Sequence, residues 1–144
     1  MEAKDYLAYI VNEIHTTIVA TVDDEGLPVT AAIDMMDSDD NSLYFLTAKG
    51  KGFYDRLKKR GFLALTAIKG QDTMSSVAVS VRGKVRELGY ERIPALFEKN
   101  PYMHQIYPTE EEDMLMEANI RTSAVVEFLR FNAHLVCCNK TGFQ

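Results

Sequence analysis

The chain has 144 residues, 47% hydrophobic and 26% charged, which suffices for one real core and excludes a disordered or fibrous class. Its formal net charge of −5 argues against general nucleic-acid binding, because a phosphate backbone needs a basic face. No apolar run approaches a membrane span, and the start shows no basic stretch leading into an apolar one, so a single cytoplasmic domain over residues 1–144 is expected.

The first element is a helix over residues 3–13, with Tyr6, Leu7, Ile10, Val11 and Ile14 on one apolar stripe. His15 and Thr16 break it. Residues 17–22 read as a strand in which Ile18, Ala20 and Val22 alternate with Thr17, Val19 and Thr21. Asp23-Asp24-Glu25-Gly26 is a hairpin turn, and residues 27–36 form the return strand, where Pro28 is tolerable near the start. Asp37-Ser38-Asp39-Asp40-Asn41 is a second polar turn.

Residues 42–61 combine a buried strand over 42–48, a basic glycine-containing turn, and a short helix over 53–60 that Gly61 stops. Lys58, Lys59 and Arg60 suit the negative end of that helix. Lys49 and Lys51 sit at its positive end, where a cation is unfavourable by roughly 0.3–1 kcal/mol each. They are either two solvated surface lysines or one side of an anion site, since backbone amides and two ammonium groups there would hold a phosphate.

Residues 62–68 read as a fourth strand and residues 76–88 as the clearest one, with Val77, Val79, Val81 and Val85 on one face and Ala78, Ser80, Arg82, Lys84 and Arg86 on the other. Gly83 interrupts the apolar face and marks a bulge or a close backbone approach. Residues 90–98 look helical, with Pro94 in the first turn, and Asn100-Pro101 ends that helix. Tyr102, Met103, Ile106 and Tyr107 give a second short apolar stripe. The acidic run 109–113 either caps a helix through Met114, Leu115 and Met116 or is solvated. Residues 123–136 form one bent strand or a hairpin around Asn132. Strands joined by short turns must be antiparallel, and about six strands with few covering helices avoid open edges best by rolling into a barrel.

The hairpin over residues 18–36, the run Leu43-Tyr44-Phe45-Leu46-Thr47 followed by Lys51 and Leu57, and the strand over residues 79–85 through Gly83 together resemble the pyridoxamine 5′-phosphate oxidase-like family. The likeness covers about residues 14–101 and is nearest to the short FMN-binding members that include the nitroimidazole-resistance (Nim) proteins. It implies a mainly β (α+β) fold, an antiparallel six-stranded split β-barrel with a few flanking helices, assembled as a homodimer. It also implies an FMN site. The return strand of the first hairpin, here Ala31, Ala32, Ile33 and Asp34, would run along the flavin ring. The turn after the third strand, here Thr47, Ala48, Lys49 and Lys51, would hold ribityl and phosphate groups. Lys51 best matches the family lysine before the helix. Asp34 would face either the flavin edge or solvent.

The chain departs from that pattern in two places. It has no tryptophan, and residues 131–138 do not match the segment that holds the vitamin in full oxidases, so oxidation of vitamin B6 phosphates is not expected. Ala31 replaces the family arginine, which removes one phosphate contact. Other chemistry finds little support. His15, His104 and His134 are far apart and each reads as a surface or hydrogen-bonded structural residue. The only cysteines, Cys137 and Cys138, are adjacent and expected reduced, which suits cytoplasm. The expected function is that of an FMN-dependent oxidoreductase on a small molecule, with NADH or NADPH as candidate donor. The alternatives are a non-catalytic flavin-binding, storage or sensor protein, and a barrel that binds no flavin.

Overall fold

The computed structural model describes residues 2–48, 50–88, 93–106, 115–121, 126–130 and 136–137, with side chains up to residue 105. The first helix, α1 (Ala3–Tyr9), starts with a reciprocal capping box between Glu2 and Asp5 and continues into one π-helical segment (Ile10–Ile14). Tyr6, Leu7, Ile10 and Val11 face the core, as their spacing predicts. Strands β1 (Thr16–Val22) and β2 (Pro28–Asp34) form the expected hairpin, seven residue pairs long. Its turn is held by Asp23 Oδ1, which accepts from the amides of Glu25 and Leu27.

β1 buries Thr17, Val19 and Thr21 and turns Ile18 outward. Burial of the threonines is possible because Thr17 donates to the Ile33 carbonyl and Thr21 accepts from Arg56 Nε. The expected polar turn at 37–41 contains a two-residue strand instead, β3 (Asp37–Ser38), because Met36 N donates to Tyr44 O and draws the chain alongside β4 (Ser42–Ala48). All seven residues of β4 are buried. Leu43 and Phe45 enter one core with β1, β5, β6, α1 and α2, while Tyr44, Leu46 and Ala48 enter a second with α3 and α4. A strand buried on both faces reads as a near-continuous apolar run, which residues 43–46 show between the buried polar Ser42 and Thr47.

Helix α2 (Gly52–Arg60) begins one residue before its predicted start and ends at Gly61, whose φ of 72° lets its amide bond back to Leu57 O. β5 (Phe62–Lys69) pairs with β6 (Val77–Leu88) in unbroken register through Leu63↔Gly83, so Gly83 makes no bulge there. On its other side β6 changes partner around Gly83: residues 77–81 pair with β8 (Val126–Arg130) and residues 84–88 with β7 (Leu115–Arg121). Leu115 and Met116 are therefore strand and not helix. β8 also pairs with β9 (Val136–Cys137), as a hairpin requires, while Asn132 itself lies outside the described residues. Between them, α3 (Ile93–Lys99) and α4 (Met103–Ile106) pack Ile93, Leu96, Phe97 and Met103 on β4.

Every strand pair is antiparallel among the described residues, and the main path runs β2-β1-β5-β6-β7-β4-β3 with β8 and β9 branching from β6. That makes nine strands among the described residues, where about six were expected. The two ends of the path, β2 and β3, are joined by only Met35 and Met36. Met35 N still bonds to His15 O beside β1, and Met36 N already bonds to Tyr44 O in β4. The sheet must therefore curl until its edges nearly meet, and this is the split antiparallel barrel. No helix among the described residues is long and apolar enough to cross a membrane.

Candidate functional site

Where the curled edges approach, a cleft of about 410 Å³ opens between β2, β4, the start of α2 and α4. That volume lies within the roughly 300–1,000 Å³ usual for small-molecule sites. Of the residues expected to bind a cofactor, Ala31, Ala32, Ile33, Asp34, Thr47 and Lys51 line it. Ala48 is buried against α3 and α4 and is not among the lining residues. Lys49 lies outside the described residues. Thr16, Met36, Leu46, Phe53 and Met103 complete the wall. Thr16 could have been found from the hairpin register, which sets it opposite Asp34. Nothing local announces Met103.

The cleft wall carries two charged residues, Lys51 and Asp34, among mostly apolar ones. Lys51 is the N-cap of α2, and the first bond of that helix runs from Asp55 N to Lys51 O. By helix geometry the amides of Gly52, Phe53 and Tyr54 have no carbonyl within the helix to bond, and they carry the positive end of its dipole. Lys51 and these amides form a donor set for an anion. Asp34 is the other charged lining residue. Its carboxylate accepts from Thr16 Oγ1 at 2.6 Å and from Tyr102 Oη at 2.8 Å, and His15 Nε2 lies 3.6 Å away. Burial first, and then the Asp34 carboxylate, hold the Tyr102 phenol well above the usual tyrosine range. Apart from Lys51, Asp34, Thr16 and Thr47 the wall is apolar, made by Ala31, Ala32, Ile33, Met36, Leu46, Phe53 and Met103, which suit a flat apolar body. A ligand with an anionic end and a planar apolar ring carrying an N–H group fits this donor and acceptor set, and FMN is such a ligand.

His15, read as structural or superficial, is hydrogen-bonded to Tyr102, and His104 packs its ring edge on Phe97. No group of three metal-ligating side chains occurs among the described residues.

The profile of the pyridoxamine 5′-phosphate oxidase family matches residues 3–131. The chain belongs to that family. The match takes in α1 and strands β1 to β8, and so extends the likeness past residues 14–101 on both sides. No curated protein matches the chain significantly. Among solved structures, a NimC/NimA family protein from Clostridium acetobutylicum superposes with a TM-score of 0.76 at 11% identity, over 94% of this chain and 91% of that one. A heme binding protein from Mycobacterium smegmatis gives 0.75 at 12% identity, over 96% and 58%. A protein of unknown function from Agrobacterium tumefaciens gives 0.71 at 16% identity, over 88% and 55%. The chain thus spans little more than half the length of the mycobacterial and agrobacterial proteins. At these identities the likeness to each is one of fold.

Proposed function

We propose that this member of the pyridoxamine 5′-phosphate oxidase family is a cytoplasmic, FMN-dependent oxidoreductase that takes electrons from a reduced nicotinamide and passes them to a small molecule. The observation that carries the reading is the cleft, in which an anion-binding helix start and an apolar strand edge face one space. Lys51 and the first amides of α2 would hold the phosphate. The backbone and side chains of Ala31, Ala32 and Ile33 would flank the ring, with Thr47 beside the ribityl chain. When bound, FMN supplies hydride and single-electron chemistry, and the protein supplies binding, orientation and exclusion of water.

The test is the visible spectrum of the purified chain after FMN is added and unbound flavin is removed, before and after anaerobic NADH or NADPH. Retained flavin bands that bleach support the reading. Bands that persist with either nicotinamide support flavin storage or sensing instead. No retained flavin overturns both. The mycobacterial neighbour makes heme a second candidate, but among the described residues the cleft is lined by no histidine, cysteine or tyrosine, so heme would rely there on the thioethers of Met36 and Met103.

We further propose a two-fold homodimer. The outward face of β2, β1, β5 and β6 carries Thr30 and Ala32, Ile18 and Ala20, Ala64, Thr66 and Ile68, and Ala78 and Ser80, aligned by register, with the charges of Arg82 and Lys84 at its border. Ile18 is 50% exposed and Ile68 58%. Such a patch, continuous with the cleft through Ala32, suits a second copy of the same face. Of the segment 102–107, also a candidate for this contact, Met103 is buried and Tyr102 half-buried within its own chain. Light scattering at micromolar concentration should report a dimer for wild type and a monomer for Ile18→Glu, which sets one charge from each copy into the apolar contact. A wild-type monomer that retains flavin refutes the assembly.

A further inference from the structure

The joint between α1 and β1 is built in an unusual way. In the π-helical segment the His15 amide reaches back five residues to Ile10 O, and His15 then adopts φ 73° and ψ −63°. That is a strained γ-turn conformation, rare for any residue with a side chain. π-helical segments and strained non-glycine residues both concentrate at functional sites. Here the strain is held by the bond from Met35 N to His15 O. Its result is to aim the imidazole at a residue 87 positions away: His15 Nε2 lies 2.6 Å from Tyr102 Oη, with the ring edge toward the tyrosine. Tyr102 donates its own proton to Asp34 Oδ2, so its oxygen accepts from His15 and Nε2 carries a hydrogen.

We propose that His15, Tyr102 and Asp34 form a proton relay from solvent to the molecule in the cleft. His15 is 32% exposed and exchanges with water, while Asp34 lines the cleft. In the forward step a His15 imidazolium loses its Nε2–H bond, keeping the hydrogen on Nδ1 as neutral imidazole, as an O–H bond forms on Tyr102. The original Tyr102 O–H bond breaks as one forms on Asp34 Oδ2. Two protons have each moved by one partner, for a net transfer of one, and no heavier atom has moved. Asp34 gives that proton to a basic atom of the bound molecule, and His15 recovers one from water. Asp34 is the catalytic residue, and His15 and Tyr102 position and recharge it. The high tyrosine pKa keeps Tyr102 a conduit and not a base. The reference values of imidazole and carboxyl differ by about two and a half units, so the transfer is uphill in water. A ligand that excludes water favours it, because it neutralises a half-buried ion pair. Thr16 on β1 and the Met36 thioether complete the surroundings of Asp34 and Tyr102, and Lys51 is the other charge on the cleft.

The identity of the molecule in the cleft rests on the flavin reading; the relay does not. It is tested first in the full chain without flavin, by following the His15 Nε2–H resonance in NMR. Tyr102→Phe should speed exchange of that proton with water by about tenfold, since its acceptor is lost, and an unchanged exchange rate overturns the relay. The second arm uses FMN-loaded protein with NADH and two acceptors. Ferricyanide takes electrons only. A quinone takes a hydride on one oxygen and needs a further proton on the other, which Asp34 supplies. Tyr102→Phe should slow quinone reduction by about tenfold and leave ferricyanide reduction nearly unchanged. That loss is smaller than the 10²–10⁴ typical of a missing general acid, because water partly replaces the hydroxyl. Equal slowing of both acceptors means that Tyr102 only shapes the cleft, and overturns the relay. A chain that takes up no FMN fails the flavin reading alone, and the NMR arm then decides the relay.

Discussion

Lys51→Met is expected to weaken FMN binding by roughly ten- to a hundredfold while leaving riboflavin binding nearly unchanged. Methionine keeps most of the apolar stem and removes the charge and its donors. A charge-assisted hydrogen bond is worth about 1.5–3 kcal/mol, and each 1.4 kcal/mol is a decade in affinity. The discrimination between ligands is the informative part. Lys51 caps α2 at the edge of the cleft, where the helix dipole already favours an anion, so its loss should be felt through the phosphate that riboflavin lacks. Titration of flavin-free wild type and variant with both ligands checks it. Equal loss for both would mean that Lys51 shapes the pocket and does not read the phosphate. No loss for either would move the anion site elsewhere.

The largest loss of stability should follow Phe45→Ala. Phe45 is completely buried at the middle of β4, in the core shared with α1, α2, β1, β5 and β6, and its ring lies 5.9 Å from that of Phe53. Removing a buried phenyl ring costs about 3–5 kcal/mol, partly as lost transfer energy and partly as a cavity that β4, paired on both edges, cannot collapse to fill. For a chain of this size that is a fall of roughly 10–20 °C in melting temperature. Phe53 also lines the cleft, so the wall beside the ligand should loosen as well. FMN at a hundred times its dissociation constant should restore about 2.7 kcal/mol if it binds the folded state alone. Calorimetry with and without FMN measures both quantities. A loss under 1 kcal/mol would show that the barrel repacks freely around this position.

Elements with a complete local signature were legible in the residues. β4 is seven buried residues in a row, α2 carries its cations at the correct end and a glycine at its stop, and β6 alternates valine with polar residues. β7 was missed because the acidic run 109–113 reads as a helix cap leading into Leu115 and Met116, although residues 116–121 alternate apolar and polar as a strand does. It is a strand because β4 and the second half of β6 both present an open edge to it. The two residues of β3 have no strand composition at all. They pair because Met36 hands the chain from one edge of the sheet to the other.

The candidate site divides along the same line. The residues by themselves offered the glycine-containing turn at Lys51 as a candidate anion site, because helix dipole and glycine placement act over a few neighbouring positions, while Ala31, Ala32, Ile33 and Asp34 came from the resemblance to the family. Only the tertiary structure decided that these two places face one cleft, and that His15 reaches Tyr102 and Tyr102 reaches Asp34. Those contacts join residues 68 and 87 positions apart, and no periodicity runs that far. They exist because the sheet curls until β2 and β3 nearly meet, which brings the end of the first hairpin against the segment that follows α3.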